Sequence, residues 1–565
     1  MLVNNYMTTS EIGHRHSVRS LFSKFETVRN QVISDYISSF PETLSEAAEK
    51  LLARNRQFPM MNELVMANRG RIGRFIEKFH NEAGTTSRDV KCSLNALNNP
   101  SAEILVSIHQ PNLFAFAGVY KKIILLQCLK SVAEHKNIDR KFINMFLIVD
   151  HDFMDEFWIR HAQLPSLRHS NGILELKLPI RGRDRWRLMC NMQAPRKSLI
   201  DSWRKQVISW IKNTDSPLYP TKSEKSQLLK NLDEMWYQVE ESYSRCKSYA
   251  DFNSFIISRL VNTIWGYDTL FVRLSDIPEV FENGFKFLIS NYEKYALALN
   301  QSEEMFASQG INTGVSSSSY LNAPVWLHCK CGSKASAKLV ESGLDRLYLV
   351  GKCIACKSDL QIGVGSRDNL DFSTDTLHSI SPRAIPILLL LSRELGIACY
   401  ASGTGGSLGY MLVGRMAFNH LAVNMPLTIV WPAADIYNGI GQSEALSHMK
   451  VNNDLELKSY LEKLRFMNAE YAERIMPLID ERNKCIKAGQ PIKNILSDMF
   501  ALKESQRGVR RMIKTATKAR AAIDLKPCII DHVVNYGIRR IESQWNDNLM
   551  ANDDLAAPIF LVKEY

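Results

Sequence analysis

The 565-residue chain has no long hydrophobic run. Its densest apolar stretch is AIPILLLL at 384–391, far short of the roughly 20 residues that a membrane-spanning helix needs. The opening stretch, MLVNNYMTTSEIGHRHSVRS, lacks the apolar segment of a secretory signal. A cytoplasmic protein with no membrane partner is therefore expected. No GxxxxGK[ST] loop is present, which argues against a P-loop ATPase, and there is no convincing GxSxG elbow. Internal repeats and low-complexity tracts are also missing, which argues against solenoids and propellers.

The composition is that of a globular protein, with 45% apolar and 23% charged residues. At this length three or four structural units are expected. The net charge of +11 has two readings: solubility, or an anionic partner such as a phosphorylated or carboxylated ligand or nucleic acid. Eleven cysteines, an odd number in a chain with no signal, argue against a disulfide framework. Seven of them are scattered and four are grouped.

Residues 1–100 have helical spacing, as in LSEAAEKLLARNRQF. ILVSI (104–108) reads as a buried strand, GVYKKIILLQCLKSV (118–132) as a buried helix and MFLIV (145–149) as a second strand. This is a βαβ unit and predicts a parallel sheet. DTLFVRLSDI (268–277) adds a strand within a helical stretch, and residues 384–432 return to strand and helix. RGRDRWRLM (181–189) is a basic cluster, read as a solvated strand or loop or as an anion-facing edge. Beyond 441, Leu457, Leu461, Leu464, Tyr471, Ile475 and Leu478 follow 4-3 spacing, with Asn468 at the missing seam position. That is either a coiled-coil seam or a helix packed on the core. Pro477 and AGQP (488–491) are expected to break this helix, and a second helix from about 492 folds back on it as a hairpin.

The expected organisation is a helical region over 1–100 and an α/β core over 101–320 and 366–440, with a helical insertion in its first part. A zinc ribbon occupies 321–365, the hairpin 441–526, and a last segment, 527–565, returns to the core.

Cys329-x-Cys331, followed after 21 residues by Cys353-x-x-Cys356, has the spacing of a zinc ribbon. Each pair suits a tight turn that directs two thiolates at one ion, and a four-thiolate shell leaves no open position, so the zinc is structural. His328 is an alternative to one of the cysteines.

Three polar turns each follow a buried strand. HQPN (109–112) offers His109 to donate to or polarise a phosphate, with Gln110 and Asn112 as amide donors. Helix N-termini after parallel strands attract phosphate. A turn that merely turns, with a structural histidine, is the other reading. DHD places Asp150, His151 and Asp152 where they can bind an ammonium or ribose hydroxyl, or serve as a base. Helix N-capping by either aspartate is compatible with that. SGTGGSLGY (402–410) supplies Gly403, Thr404, Gly405 and Gly406, whose N–H groups can approach an anion, although any tight strand-to-helix turn uses glycine.

These stretches resemble the cysteine-adding enzymes of bacillithiol biosynthesis (BshC-like). IHQPNLFAFAGVYKKI is similar to that family's strand–GQQPGLF–helix turn, and FLIVDHDFMDEFW to its DHDF signature. SYADFNSFIISRLVNTIWGYDTLFVRLSDIPEVF, ISPRAIPILL, YASGTGGSLGYM and MPLTIVWP resemble further blocks, and VVNYGIRRIESQW fits the last segment. HQPN also looks like the opening of WbqC-like proteins. The resemblance implies a Rossmann-like core of the nucleotidyltransferase and class I synthetase type. It implies a ligase that joins cysteine to glucosaminyl-malate with ATP or another adenine nucleotide, and a homodimer formed through the coiled coil. By resemblance His109, Gln110, Asn112, Asp150, His151, Asp152 and the 403–406 turn line the crevice. The chain departs from the family at His109 and Asn112, at Ser407 where a glutamate belongs, and in carrying the four-cysteine ribbon.

A second reading treats the ribbon, the positive charge and the basic helix bearing Arg510, Arg511, Lys514, Lys518 and Arg520 as a nucleic-acid-binding module. A third is a catalytically dead scaffold that kept the fold.

Overall fold

A computed structural model describes residues 17–25, 27–54, 63–219, 221–315, 322–343, 345–405, 407–436 and 439–561. At its centre are five parallel strands: β1 (Ala102–His109), β2 (Lys141–Ile148), β3 (Leu270–Arg273), β4 (Ile397–Ser402) and β5 (Leu427–Val430). Their spatial order is β5-β4-β1-β2-β3. β1 is central, and Ala102 through Ser107 are buried. That is why its sequence reads as an apolar run rather than an alternation. In register, His109 lies beside Ile148 and Ile148 beside Arg273, so the carboxyl ends of β1, β2 and β3 are level.

Helix α1 (Ala117–Lys136) links β1 to β2 and is buried on nearly all sides, including Lys121 and Lys122. It lies between the sheet and outer helices Leu44–Arg54 and Ile538–Asn552. The buried Arg69 pins the N-terminal helices to the core, donating to the carbonyls of Leu395 (3.0 Å) and Ala102 (2.8 Å). Lys121 pairs with Asp435 at 2.9 Å, and Trp545 Nε1 donates to the same carboxylate, which ties the last helix to the core.

The cysteine-bearing segment is a five-stranded antiparallel sheet in the order Ile380–Pro382, Asn322–His328, Lys334–Ser342, Arg346–Lys352, Asp359–Ser366. Its first strand comes from beyond the expected ribbon. RGRDRWRLM forms short 3₁₀ turns at Gly182–Trp186 and Met189–Asn191, not a strand.

Helices α3 (Asp454–Lys487) and α4 (Lys493–Asp524), which follow α2 (Ser407–His420), form an antiparallel hairpin. Leu457, Leu461 and Leu464 pack with Val509, Ala516, Ala519 and Ala522 of the returning helix. Asn468 sits in this seam and accepts a hydrogen bond from Arg510 Nε at 3.2 Å. The expectation that Pro477 breaks the helix is wrong: α3 runs through it to Lys487. The proline costs one backbone hydrogen bond, but both Pro477 and Glu473, whose carbonyl is freed, are exposed to water. The turn at 488–492 does end the helix. Among the described residues no helix is long and apolar enough to cross a membrane.

Candidate functional site

The three polar turns converge at the carboxyl ends of the parallel strands. The first two are stitched together by the His109 carbonyl, which accepts Val149 N–H at 2.9 Å, and by Gln110 Nε2, which donates to Asp152 Oδ2 at 3.0 Å. The chain then passes through Phe114 at φ +43°, a left-handed conformation that is strained for a bulky residue. Trp203, Trp236 and Phe252 hold its ring at centroid distances of 5.7, 6.0 and 6.2 Å.

His109 is half-buried, and its Nδ1 lies 2.9 Å from the Gln110 carbonyl. A carbonyl only accepts, so Nδ1 carries the proton and Nε2 is left as an acceptor. Burial and then the positive Lys122 push its pKa down to about 3. At neutral pH the ring is neutral in this arrangement, with Nε2 free to accept a hydrogen bond; donation to a phosphate, as read from the sequence, would need a proton on that nitrogen.

Both polar atoms of the Asn112 amide are buried without a partner, and the residue is only 1% exposed. Such a group is costly unless something fills its bonding capacity.

The acidic turn divides its labour. Asp150 is fully buried; it accepts Ser275 N–H at 3.0 Å and the Ser275 hydroxyl at 2.5 Å, joining the ends of β2 and β3. Burial raises its carboxyl to about 7 against these bonds. His151 faces the cysteine-bearing sheet, with its ring centroid 4.5 Å from that of His328. Burial drives its pKa well below normal, so the ring is neutral. Asp152 is the open member, with its side chain 37% exposed. Neither aspartate caps a helix: the short helix Phe157–Arg160 begins after Glu156 and has no side-chain cap.

The third turn, Gly403–Gly405, follows β4, the strand beside β1 on the side away from β2. A Cβ at Gly405 would meet nothing within 4 Å, so the surrounding fold does not require glycine there. Thr404 is exposed on the same turn, and Gly406 lies outside the described residues. Tyr410, on α2, is half-buried, and burial followed by the negative Asp152 raises its hydroxyl pKa.

Residues not singled out from the sequence complete the site. Lys334, at the start of the strand Lys334–Ser342 in the cysteine-bearing sheet, is 4% exposed. Its Nζ donates to the His151 carbonyl at 2.6 Å and lies 3.7 Å from Asp152 Oδ1. It also sits over the rings of Phe153 (4.6 Å) and Trp326 (4.7 Å). Arg383 stacks on Trp326 at 4.8 Å. Lys122, on α1, donates to the Ile108 carbonyl at 2.8 Å. The lysine pair in GVYKKIILLQ was a visible irregularity in an apolar run, whereas nothing local marked Lys334.

The four cysteines do come together. Cys329–Cys331 and Cys353–Cys356 sit on two turns, each closed by a backbone hydrogen bond, and Gly332 (φ +85°) supplies the left-handed residue of the first. All four sulfurs lie within 4.8 Å of one another, with Cys329–Cys356 at 3.5 Å and Cys331–Cys353 at 3.6 Å. Four bonds of about 2.3 Å around a tetrahedral ion require sulfurs about 3.8 Å apart, so the donor set and its spacing fit zinc. His328 is no substitute ligand, because its ring nitrogens face the His378 carbonyl (3.2 Å) and Ser381 Oγ (2.9 Å).

A cavity of about 550 Å³ lies elsewhere, lined by residues such as Asn300, Glu303, Phe306, Ile311 and Thr313, and shares no residue with the three turns. No protein-family model matches the chain, and no match is found among curated proteins.

Proposed function

We propose that the protein is a nucleotide-dependent ligase on a Rossmann-like core of the nucleotidyltransferase type. In this reading it joins an amino acid, cysteine by the resemblance above, to the amine of an amino-sugar conjugate such as glucosaminyl-malate. The observation that carries the proposal is the Gln110–Asp152 hydrogen bond, which makes one crevice of two turns at adjacent strand ends. Ligands of open parallel sheets bind at the carboxyl edge where the strand order reverses, here between β1 and β4, which puts the switch point on the other side of the HQPN turn, beside the glycine turn.

Asp152, open and oriented by Gln110, holds the acceptor ammonium. The ammonium first gives one proton to the Asp152 carboxylate, which frees the amine to attack, and His109 Nε2, a neutral acceptor, takes the second as the amide forms and the activating group leaves with its oxygen. Asp150, closed off by Ser275, positions the turn instead of touching substrate. The partnerless Asn112 amide and the open glycine turn suit a phosphate-bearing ligand. Amide formation from a free carboxylate needs an activated oxygen leaving group, which ATP supplies when bound. The zinc takes no part in the reaction; it holds the sheet that carries Lys334 and Trp326 against the acidic turn.

The nucleic-acid reading has weaker support. Of the five α4 residues on which it rests, Arg510 is spent on Asn468, and Arg520 on Asp524 and Asp454. His109→Ala and Asp152→Ala are expected to keep fold and metal and to lose ATP-dependent condensation. Full activity in both variants would end the assignment.

A further inference from the structure

The cysteine-bearing sheet turns one face toward the acidic turn, and that face carries two cations. Trp326 pairs with Ser381 on one neighbouring strand and with Ser336 on the other, and His328 pairs with Lys334. Paired residues of an antiparallel sheet share a face, as do residues two apart on one strand. Arg383, two beyond Ser381, continues the row. Its N–H donates to the Pro324 carbonyl at 3.1 Å, and its guanidinium stacks on Trp326 at 4.8 Å. Lys334 Nζ lies 4.7 Å from the centre of the same ring and 3.7 Å from Asp152 Oδ1.

The two cations are not equivalent. Lys334 is buried and has Asp152 and the His151 carbonyl. Arg383 is half-buried, and no carboxylate among the described residues lies within ion-pair distance of it. Its side chain makes a long hydrogen bond from Nη1 to Ser336 Oγ, 3.4 Å. The indole covers a face of the guanidinium and leaves its edge, whose N–H fork matches a planar carboxylate. Trp326, Arg383, Asp152 and Tyr410 are all partly open to solvent. Burial and then Asp152 raise the Tyr410 hydroxyl pKa while Arg383 opposes them, so both charges act across the same crevice.

We propose that Arg383 binds a carboxylate of the same substrate whose ammonium Asp152 holds. The two groups have opposite charge, and the contacts through Trp326 and Lys334 set them within the span of one small molecule. The ligand class is an amine that carries a free carboxylate at its other end. This rests on the ligase reading above for the role of Asp152 and deepens it: the acceptor must be acidic, and a plain amino sugar is a poor one.

The test is calorimetric binding of four probes to the full-length, zinc-loaded protein. They are glucosaminyl-malate; glucosamine, which keeps only the amine; malate, which keeps only the carboxylates; and cysteine. Wild type is compared with Arg383→Gln and Asp152→Asn. Loss of a charge-assisted pair predicts affinity for glucosaminyl-malate and malate about 10- to 100-fold weaker in Arg383→Gln, with glucosamine unchanged. Asp152→Asn weakens glucosaminyl-malate and glucosamine and spares malate. Unchanged affinity for both acidic probes in Arg383→Gln overturns the proposal. An equal loss for glucosamine also overturns it and makes the arginine a prop for Trp326. A loss confined to cysteine assigns the guanidinium to the amino acid and overturns it as well. If wild type binds neither acidic probe, the subsite falls, and an ATP-dependent amide product would still uphold the ligase reading. Arg383-dependent binding of malate by a protein that forms no such product leaves the subsite standing and removes the ligase reading.

Discussion

Replacing Lys334 by alanine should loosen the Asp150–Phe153 turn without unfolding the core. The lysine makes a charged hydrogen bond to the His151 carbonyl at 2.6 Å, worth about 1.5–3 kcal/mol. It makes two ring contacts at 4.6 and 4.7 Å, worth about 1–2 kcal/mol each when shielded from water. The 3.7 Å pair with Asp152 adds less than about 1 kcal/mol, because that carboxylate is more than one-third exposed and screened. Against this stands the cost of burying the ammonium, several kcal/mol. The alanine variant also leaves a void and an unbonded carbonyl, so a net loss of about 2–4 kcal/mol is expected. Methionine fills the space and keeps contact with the rings, and should lose about half as much or less. Amide exchange over residues 150–155 and 334–342 reads this local stability directly. If the alanine variant falls within about 0.5 kcal/mol of wild type at both segments, the cysteine-bearing sheet does not support the acidic turn and the reasoning fails.

Other outcomes follow from the same geometry. Asp150 is raised to about 7 by burial from an ordinary 3.8, so it holds its proton more tightly in the folded state. Its effect is therefore absent below about pH 4, and the penalty grows as pH rises through that interval and is complete above about 7. Asp150→Asn should be more stable than wild type at pH 8 by about 2–4 kcal/mol, with a smaller difference at pH 5; equal differences in paired melts would count against it. Protein prepared without chelator should carry about one equivalent of zinc. Less than about half an equivalent by metal analysis would remove the ion from the account. Cys331→Ser should lower zinc content and raise exchange at residues 150–155 as well as in the sheet itself, since Lys334 connects the two.

Much of this arrangement is written locally. β1 and β2 are central parallel strands buried on both faces, so their sequences show as unbroken apolar runs. The cysteine spacing reports two turns because each ligand pair must fit on one. The polar residues at the strand ends stand out against those runs. The contacts that make them a site depend on tertiary structure. Gln110 meets Asp152 across 42 positions and Lys334 meets His151 across 183, and no local pattern encodes either. The strand Ile380–Pro382 is too short to show a period and exists because it pairs with Val325–Leu327. Pro477 obeyed a local rule for helix ends that the exposed outer stretch of the hairpin overrode. The direction of His109 also needed the structure, since only the Gln110 carbonyl fixes which ring nitrogen is protonated.

The most direct test of the central claim is the product itself. The purified, zinc-loaded protein is incubated with ATP, glucosaminyl-malate and all twenty amino acids, and the mixture is read by mass spectrometry. The account predicts a single amide adduct, with cysteine, that depends on ATP and is lost in Asp152→Ala. An adduct that forms without ATP, or no adduct at all from active-folded protein, would contradict it.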